Sequence, residues 1–127
     1  MVNKVNISTD KAPQPIGAYS QAVQVGNLVF ISGQIAINPE NDQLEIDTID
    51  QEVIRVFNNL KAISEAAGSN INNIVKLNLY LTNLANFGIV NEIMSKFFAE
   101  PYPARAAVQV SALPKNVNFE AEAVLMV

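Results

Sequence analysis

The chain has no cysteine and no histidine. Without cysteine there is no disulfide, no thiol nucleophile, no iron–sulfur ligand and no thiolate zinc site. Without histidine there is no imidazole base and no Ser-His-Asp triad. Any catalysis is left to Glu, Asp, Lys, Arg, Tyr, Ser, backbone amides and water. A carboxylate-only metal site stays open, but no EF-hand-like acidic loop is present and no metal is expected. Positive charge is also scarce: eight Lys and Arg against twelve Asp and Glu give a net charge of −4. The basic residues are scattered, whereas nucleic-acid binding needs them clustered, so no nucleic acid is expected as partner. No basic amphipathic helix suits a membrane surface, and no apolar run approaches the length of a span. The opening MVNKVNISTD lacks the apolar centre of a signal peptide, so the expected location is cytoplasmic.

What is plentiful is apolar surface. Half of the 127 residues are hydrophobic and 16% are charged. That length fits one domain, residues 1–127, with a real core. The balance is richer in apolar residues than a small solvated monomer needs, so self-association is expected to cover part of it.

Local patterns predict the elements. LVFIS (Leu28 to Ser32) is a short apolar run between Gly26-Asn27 and Gly33, read as a buried strand. AVQV before it forms a hairpin with it across Gly26-Asn27. Thr48-x-x-Gln51 fits a capping box, and Ile49, Val53, Val56, Leu60 and Ile63 recur at helical spacing up to Gly68, a natural cap. VKLNLYLT alternates, with Val75, Leu77, Leu79 and Leu81 on one face, as in a half-buried strand. A second helix is expected from Leu84 to Ala99, with Phe87, Val90, Met94, Phe97 and Phe98 as its apolar stripe and Asn91 on the same face. Pro101 and Pro103 end it. Arg105 to Leu113 reads as a strand, Pro114-Lys115-Asn116 as a turn, and Val117 to Val127 as a final strand. The order β-β-α-β-α-β-β implies an α+β fold: a mixed sheet with two helices on one face, and another face that partner chains would cover.

Four polar positions sit in apolar company. Arg105 is either a structural arginine tied to carbonyls or an interface carboxylate, or a planar fork for a ligand carboxylate. Glu120 in NFEAEAVLMV belongs to a solvated strand face, or holds a water molecule and accepts its proton. Asn91 is a satisfied buried amide or a ligand contact. Ser32-Gly33 is a strand-ending turn, or a hydroxyl and an approachable amide for a ligand. Used together, they suit a small anionic substrate with an electrophilic carbon. If Pro114-Lys115-Asn116 closes a tight hairpin, Glu120 pairs near Val110, some ~17 Å from Arg105 at ~3.3 Å per residue. The two then share no site within a chain, and a common site would lie between subunits.

Four stretches together resemble the RidA (reactive imine deaminase, also YjgF) family over essentially the whole length. They are PIGAYSQAVQVGNLVFISGQI, NLKAISEAAGSNINNIVKLNLYL, NFGIVNEIMSKFF and YPARAAVQVSALPKNVNFEAEAV. The resemblance implies a chorismate-mutase-like homotrimer with active sites in clefts between subunits. It also implies cofactor-free hydrolysis of 2-iminoacids (2-iminobutanoate, 2-iminopropanoate), made by pyridoxal-phosphate-dependent dehydratases, to 2-oxoacids and ammonia. Arg105 is then similar to the family's carboxylate-binding arginine and Glu120 to the acid that positions water. Tyr19 corresponds to the tyrosine over the pocket, Ser32 and Gly33 to the substrate-contacting pair, and Asn91 to a supporting asparagine. Ala107 stands where many members carry cysteine and Ala106 where serine is frequent, which excludes a thiol mechanism and bears on pocket volume. Ala121 replaces a usual aliphatic residue such as isoleucine. A non-catalytic trimer that senses 2-oxoacids or amino-acid status remains the alternative, because the same arginine fork would bind its ligand.

Overall fold

Alternation along the strands decides which side of the sheet is buried. In the computed structural model, which describes residues 3–127, the strands are β1 (Val5–Ile7), β2 (Ala22–Val25), β3 (Leu28–Gln34), β4 (Ile74–Leu81), β5 (Ala104–Gln109) and β6 (Phe119–Met126). Helix α1 (Ile49–Ala66) lies between β3 and β4, and α2 (Phe87–Phe97) between β4 and β5. The sheet order is β1-β2-β3-β6-β4-β5. All neighbours are antiparallel except β4 and β5, which are parallel and joined through α2. A parallel pair needs such a crossover, so the helix follows from the pairing.

The mixed sheet and its two helices agree with the expectation. Leu77, Leu79 and Leu81 of β4 and Phe119, Ala121 and Leu125 of β6 are buried beside Val53, Val56, Leu60 and Ile63 of α1 and Val90 and Met94 of α2. Phe57 of α1 meets the rings of Phe97, Phe98 and Phe119 at 5.5–5.8 Å. Thr48 Oγ1 accepts from Gln51 N–H at 3.1 Å, the forward arm of the capping box. Gly68, at φ +79°, follows the helix end and donates to Glu65 O while Ser69 N–H donates to Ser64 O, the paired bonds of a Schellman cap. The β2–β3 hairpin forms across Gly26-Asn27, with Val25 opposite Leu28 and Gly26 at φ +61°.

Several expectations are corrected. Strand β1, only three residues long, offered too short an alternation to be seen. The second helix is two pieces: a 3-10 turn at Leu84–Asn86, then α2. Asn83 caps the turn by accepting from Ala85 N–H at 2.9 Å. Strand β5 ends at Gln109 rather than Leu113, and β6 starts at Phe119 rather than Val117. LVFIS is not buried on both sides: Val29 and Ile31 are, but Phe30 is 49% exposed. Val75 is exposed too, because a register shift between Ile74 and Lys76 takes it out of the alternation.

The largest correction concerns the turn at Pro114–Asn116. It does not join neighbouring strands, since β4 lies between β5 and β6. Tyr80 pairs with Glu120 on one side and with Val108 on the other, so Glu120 is level with Val108, not paired with Val110. The turn is a 3-10 piece with Lys115 and Asn116 at positive φ, and it swings the chain across β4.

Candidate active site in two halves

The first half is built on β6 and β3. Glu52, fully buried in the first turn of α1, accepts from the backbone N–H groups of Asn118 and Phe119 at 2.7 and 2.9 Å. Its other oxygen accepts from Asn118 Nδ2 at 2.8 Å. This carboxylate fixes the start of β6, and with it the next residue, Glu120. Because Phe119 and Ala121 face the helices, Glu120 and Glu122 emerge on the opposite, open face. There Glu120 lies over Gly33. A Cβ at residue 33 would stand 2.2 Å from Glu120 Oε2. Glycine at 33 therefore makes room for the glutamate of the same chain, a reason that the sequence did not suggest.

Ser32 and Gly33 occupy a β-bulge, where the β3–β6 register jumps between Ile31 and Gln34. The Ser32 hydroxyl donates to Ser20 O at 2.6 Å, so its proton is engaged and its lone pairs are what it offers a ligand. Tyr19 is half exposed, and its hydroxyl accepts from Ile16 N–H at 3.3 Å. Tyr19, Ser32, Gly33, Glu120 and Glu122 line one cleft of about 440 Å³ with Ile35, Ile37 and Pro114. Burial, and after it the negative charge of Glu122, holds the Glu120 carboxyl above the usual carboxylate range. Beside it, Tyr80 Oη donates to Glu122 Oε1 at 2.5 Å. That hydrogen bond and burial push the Tyr80 hydroxyl up to about 12.

The second half is built on α2 and β5. Arg105 is exposed, not buried, and Nη1 donates to Asn91 Oδ1 at 2.6 Å. The same nitrogen approaches Met94 Sδ at 3.4 Å, and the guanidinium carbon stands 4.8 Å from the centroid of Phe87. Stacking on an aromatic face with one nitrogen tethered holds the guanidinium plane still. Arg105 has no carboxylate partner among the described residues. Asn91 is exposed rather than a buried amide, and it orients the arginine. Asn91, Met94, Tyr102 and Arg105 line a second hollow of about 300 Å³. Ala107 lines neither hollow; its methyl packs against the core of its own chain.

The two halves do not meet within the chain. Arg105 pairs with Leu77 and shares its helix-side face, whereas Glu120 pairs with Tyr80 on the open face. Two strand spacings and three residues separate them, about 14 Å between Cα atoms, with the sheet itself in between.

This split site sits in a chain with many relatives. The family model described as endoribonuclease L-PSP matches residues 9–127. A RutC family protein of Pyrococcus abyssi is 49% identical over 118 residues, 93% of each chain. A protein of Dermatophagoides farinae named 2-iminobutanoate/2-iminopropanoate deaminase is 45% identical over 121 residues, 95% of this chain and 94% of its own. The crystal structure of RidA from Psychrobacter sp. PAMC 21119 superposes with a TM-score of 0.94 at 50% identity, covering 97% of this chain and 99% of its own.

The chain belongs to the RidA family.

Its fold is the RidA fold, and proteins named as deaminases are among its relatives at moderate identity. Of the residues singled out from sequence, Tyr19, Ser32, Gly33 and Glu120 share one hollow, and Asn91 and Arg105 share the other. From sequence alone, Glu52, Tyr80 and Glu122 had no site role, and Phe87 read only as part of an apolar stripe. Glu122 alternates with Glu120, and Tyr80 lies on the polar side of VKLNLYLT, so both faces were readable. The pairing of β4 with β6, which joins them, was not.

Proposed function

We propose that this RidA protein is a 2-iminoacid deaminase whose active sites form where subunits of a homotrimer meet. In this reading the Arg105 half of one subunit closes on the Glu120 half of the next. The observation that supports it most is that each half is incomplete: one chain holds its cation and its carboxylate on opposite sides of one sheet. The open face supports association as well, since Phe30 and Val108 are each more than 40% exposed there.

The substrate carboxylate docks on the Arg105 fork, which Asn91 and Phe87 hold in place. The iminium carbon is already electrophilic and needs little acid assistance. Glu120 orients water and takes its proton, and the carbinolamine that forms expels ammonia. Positioning and general-base assistance are the main contributions, the latter ~100- to 10,000-fold. No residue of this scheme depends on a thiol or an imidazole. The family description names an endoribonuclease, but a net charge of −4 and the absence of histidine oppose RNA binding and imidazole-based cleavage.

A coupled assay tests the proposal. A threonine dehydratase generates 2-iminobutanoate, and the protein should accelerate release of 2-oxobutanoate. Wild-type rates from Arg105→Ala would refute the assignment. The alternative, a non-catalytic 2-oxoacid sensor, predicts that Glu120→Gln keeps ligand affinity and that no turnover exists to lose. Light scattering should give three times the 13.8 kDa chain mass.

A further inference from the structure

Glu120 and Glu122 are alternate residues of β6, with Cα atoms ~7 Å apart, and both line the larger cleft. Their surroundings differ sharply. Glu122 Oε1 accepts from Tyr80 Oη at 2.5 Å and from Asn78 Nδ2 at 3.3 Å, two donors on one face of β4. Glu120 lies against the Gly33 backbone and has no hydrogen-bond donor among the described residues. We propose that Glu122 is a positioning residue for the reaction: held by Tyr80 and Asn78, it is tied up as an acceptor beside Glu120 and leaves Glu120, the member without a donor, as the one that takes up and returns the proton. This inference rests on the proposed hydrolysis and adds what equips Glu120 for it.

The hydrolysis needs one group to act in both directions. Water oxygen bonds to the iminium carbon, the C=N π pair moves to nitrogen, and the released proton goes to Glu120. That proton then passes to the amino nitrogen. The hydroxyl oxygen's pair closes the C=O bond as the C–N bond breaks, and the hydroxyl proton leaves through Glu120 to ammonia. A carboxylate that both accepts and returns a proton works best when its two forms are nearly balanced at the working pH. Burial and the adjacent Glu122 charge move Glu120 in that direction. Tyr80, with its hydroxyl at about 12, keeps its proton throughout that range and stays a donor.

Other charged groups on this face are few. From β4, Lys76 pairs with Val124, two residues beyond the Asn78–Glu122 pair and on the same face. Tyr19 contributes its phenol from the rim of the cleft. Strand β5 presents Ala106 and Val108 opposite Asn78 and Tyr80, and β3 presents the Ser32–Gly33 bulge, none of them ionisable.

The test reads the two carboxyls directly. Protein labelled with carbon-13 at the glutamate side-chain carboxyl is titrated by NMR without substrate, and Glu120→Gln identifies the Glu120 signal. In Glu122→Gln, which keeps an acceptor for Tyr80 and removes the charge, the Glu120 midpoint should move to lower pH. An unmoved Glu120 midpoint in a folded Glu122→Gln protein overturns the inference. The acid limb of kcat/KM for 2-iminobutanoate should shift in the same direction as the NMR midpoint. If the midpoint shifts while no variant changes turnover, the coupling stands and it is the deaminase reading that fails.

Discussion

Arg105→Ala and Glu120→Gln each remove one half of the proposed site and leave the other half whole. Each alone should be nearly inactive. Losing the guanidinium removes two charge-assisted hydrogen bonds to the substrate carboxylate, together about 3–5 kcal/mol, or roughly a hundred- to a few thousand-fold in kcat/KM. Losing the base removes about a hundred- to ten-thousand-fold. The two residues lie on opposite faces of the sheet, so a single chain cannot bring them to one small molecule. If the site instead joins Arg105 of one subunit to Glu120 of the next, mixing the two inactive proteins restores some sites. With equal amounts, random exchange of subunits and a closed ring, an interface has an intact Arg105 half the time and an intact Glu120 half the time, giving about one quarter of wild-type activity. The assay denatures and refolds the two variants together, then measures 2-iminobutanoate hydrolysis against each variant refolded alone. Mixed trimers can be isolated by giving one variant an affinity tag. Activity that stays at the level of the single variants, in trimers shown to be mixed, would refute the shared-site reasoning.

Other expectations follow from named contacts. Glu52→Ala leaves the buried N–H groups of Asn118 and Phe119 without an acceptor and should cost about 3–5 kcal/mol in urea unfolding. Glu52→Gln keeps one acceptor oxygen and should cost less. Gly33→Ala puts a methyl 2.2 Å from Glu120 Oε2, so activity should collapse while circular dichroism stays native. Glu120 is held above the usual carboxylate range, so its ionisation opposes folding above its unfolded value near ~4.3. Glu120→Gln should therefore raise Tm at pH 7, with the gain fading below about pH 4, where both states are protonated. The Tyr80 shift predicts stability present up to about pH 10 and lost as pH rises through about 12, a loss absent from Tyr80→Phe.

Much of the local architecture was legible. The heptad-like spacing of Val53, Val56, Leu60 and Ile63 marked α1, Thr48 and Gly68 marked its ends, and the alternation in VKLNLYLT marked both faces of β4. The candidate residues were legible by type, because a guanidinium, an amide and a carboxylate in apolar segments are conspicuous. Their surroundings were not. The even run LVFIS conceals that Phe30 faces outward, since an apolar residue on an exposed face reads the same as one facing the core. Gly33 looked like an opening for a ligand, and only the path of β6 shows that it accommodates Glu120.

By itself, the sequence determined the chemistry available and the local elements. Composition excludes thiols and imidazoles outright, and side-chain periodicity is a property of neighbouring residues. The tertiary structure alone decided that β6 enters between β3 and β4, separating β5 from the strand that follows it. Strand pairing is non-local: it depends on which edges are free and which faces need cover, and no short stretch encodes its partner. That choice placed Arg105 and Glu120 on opposite sides of the sheet and set Tyr80 beside Glu122.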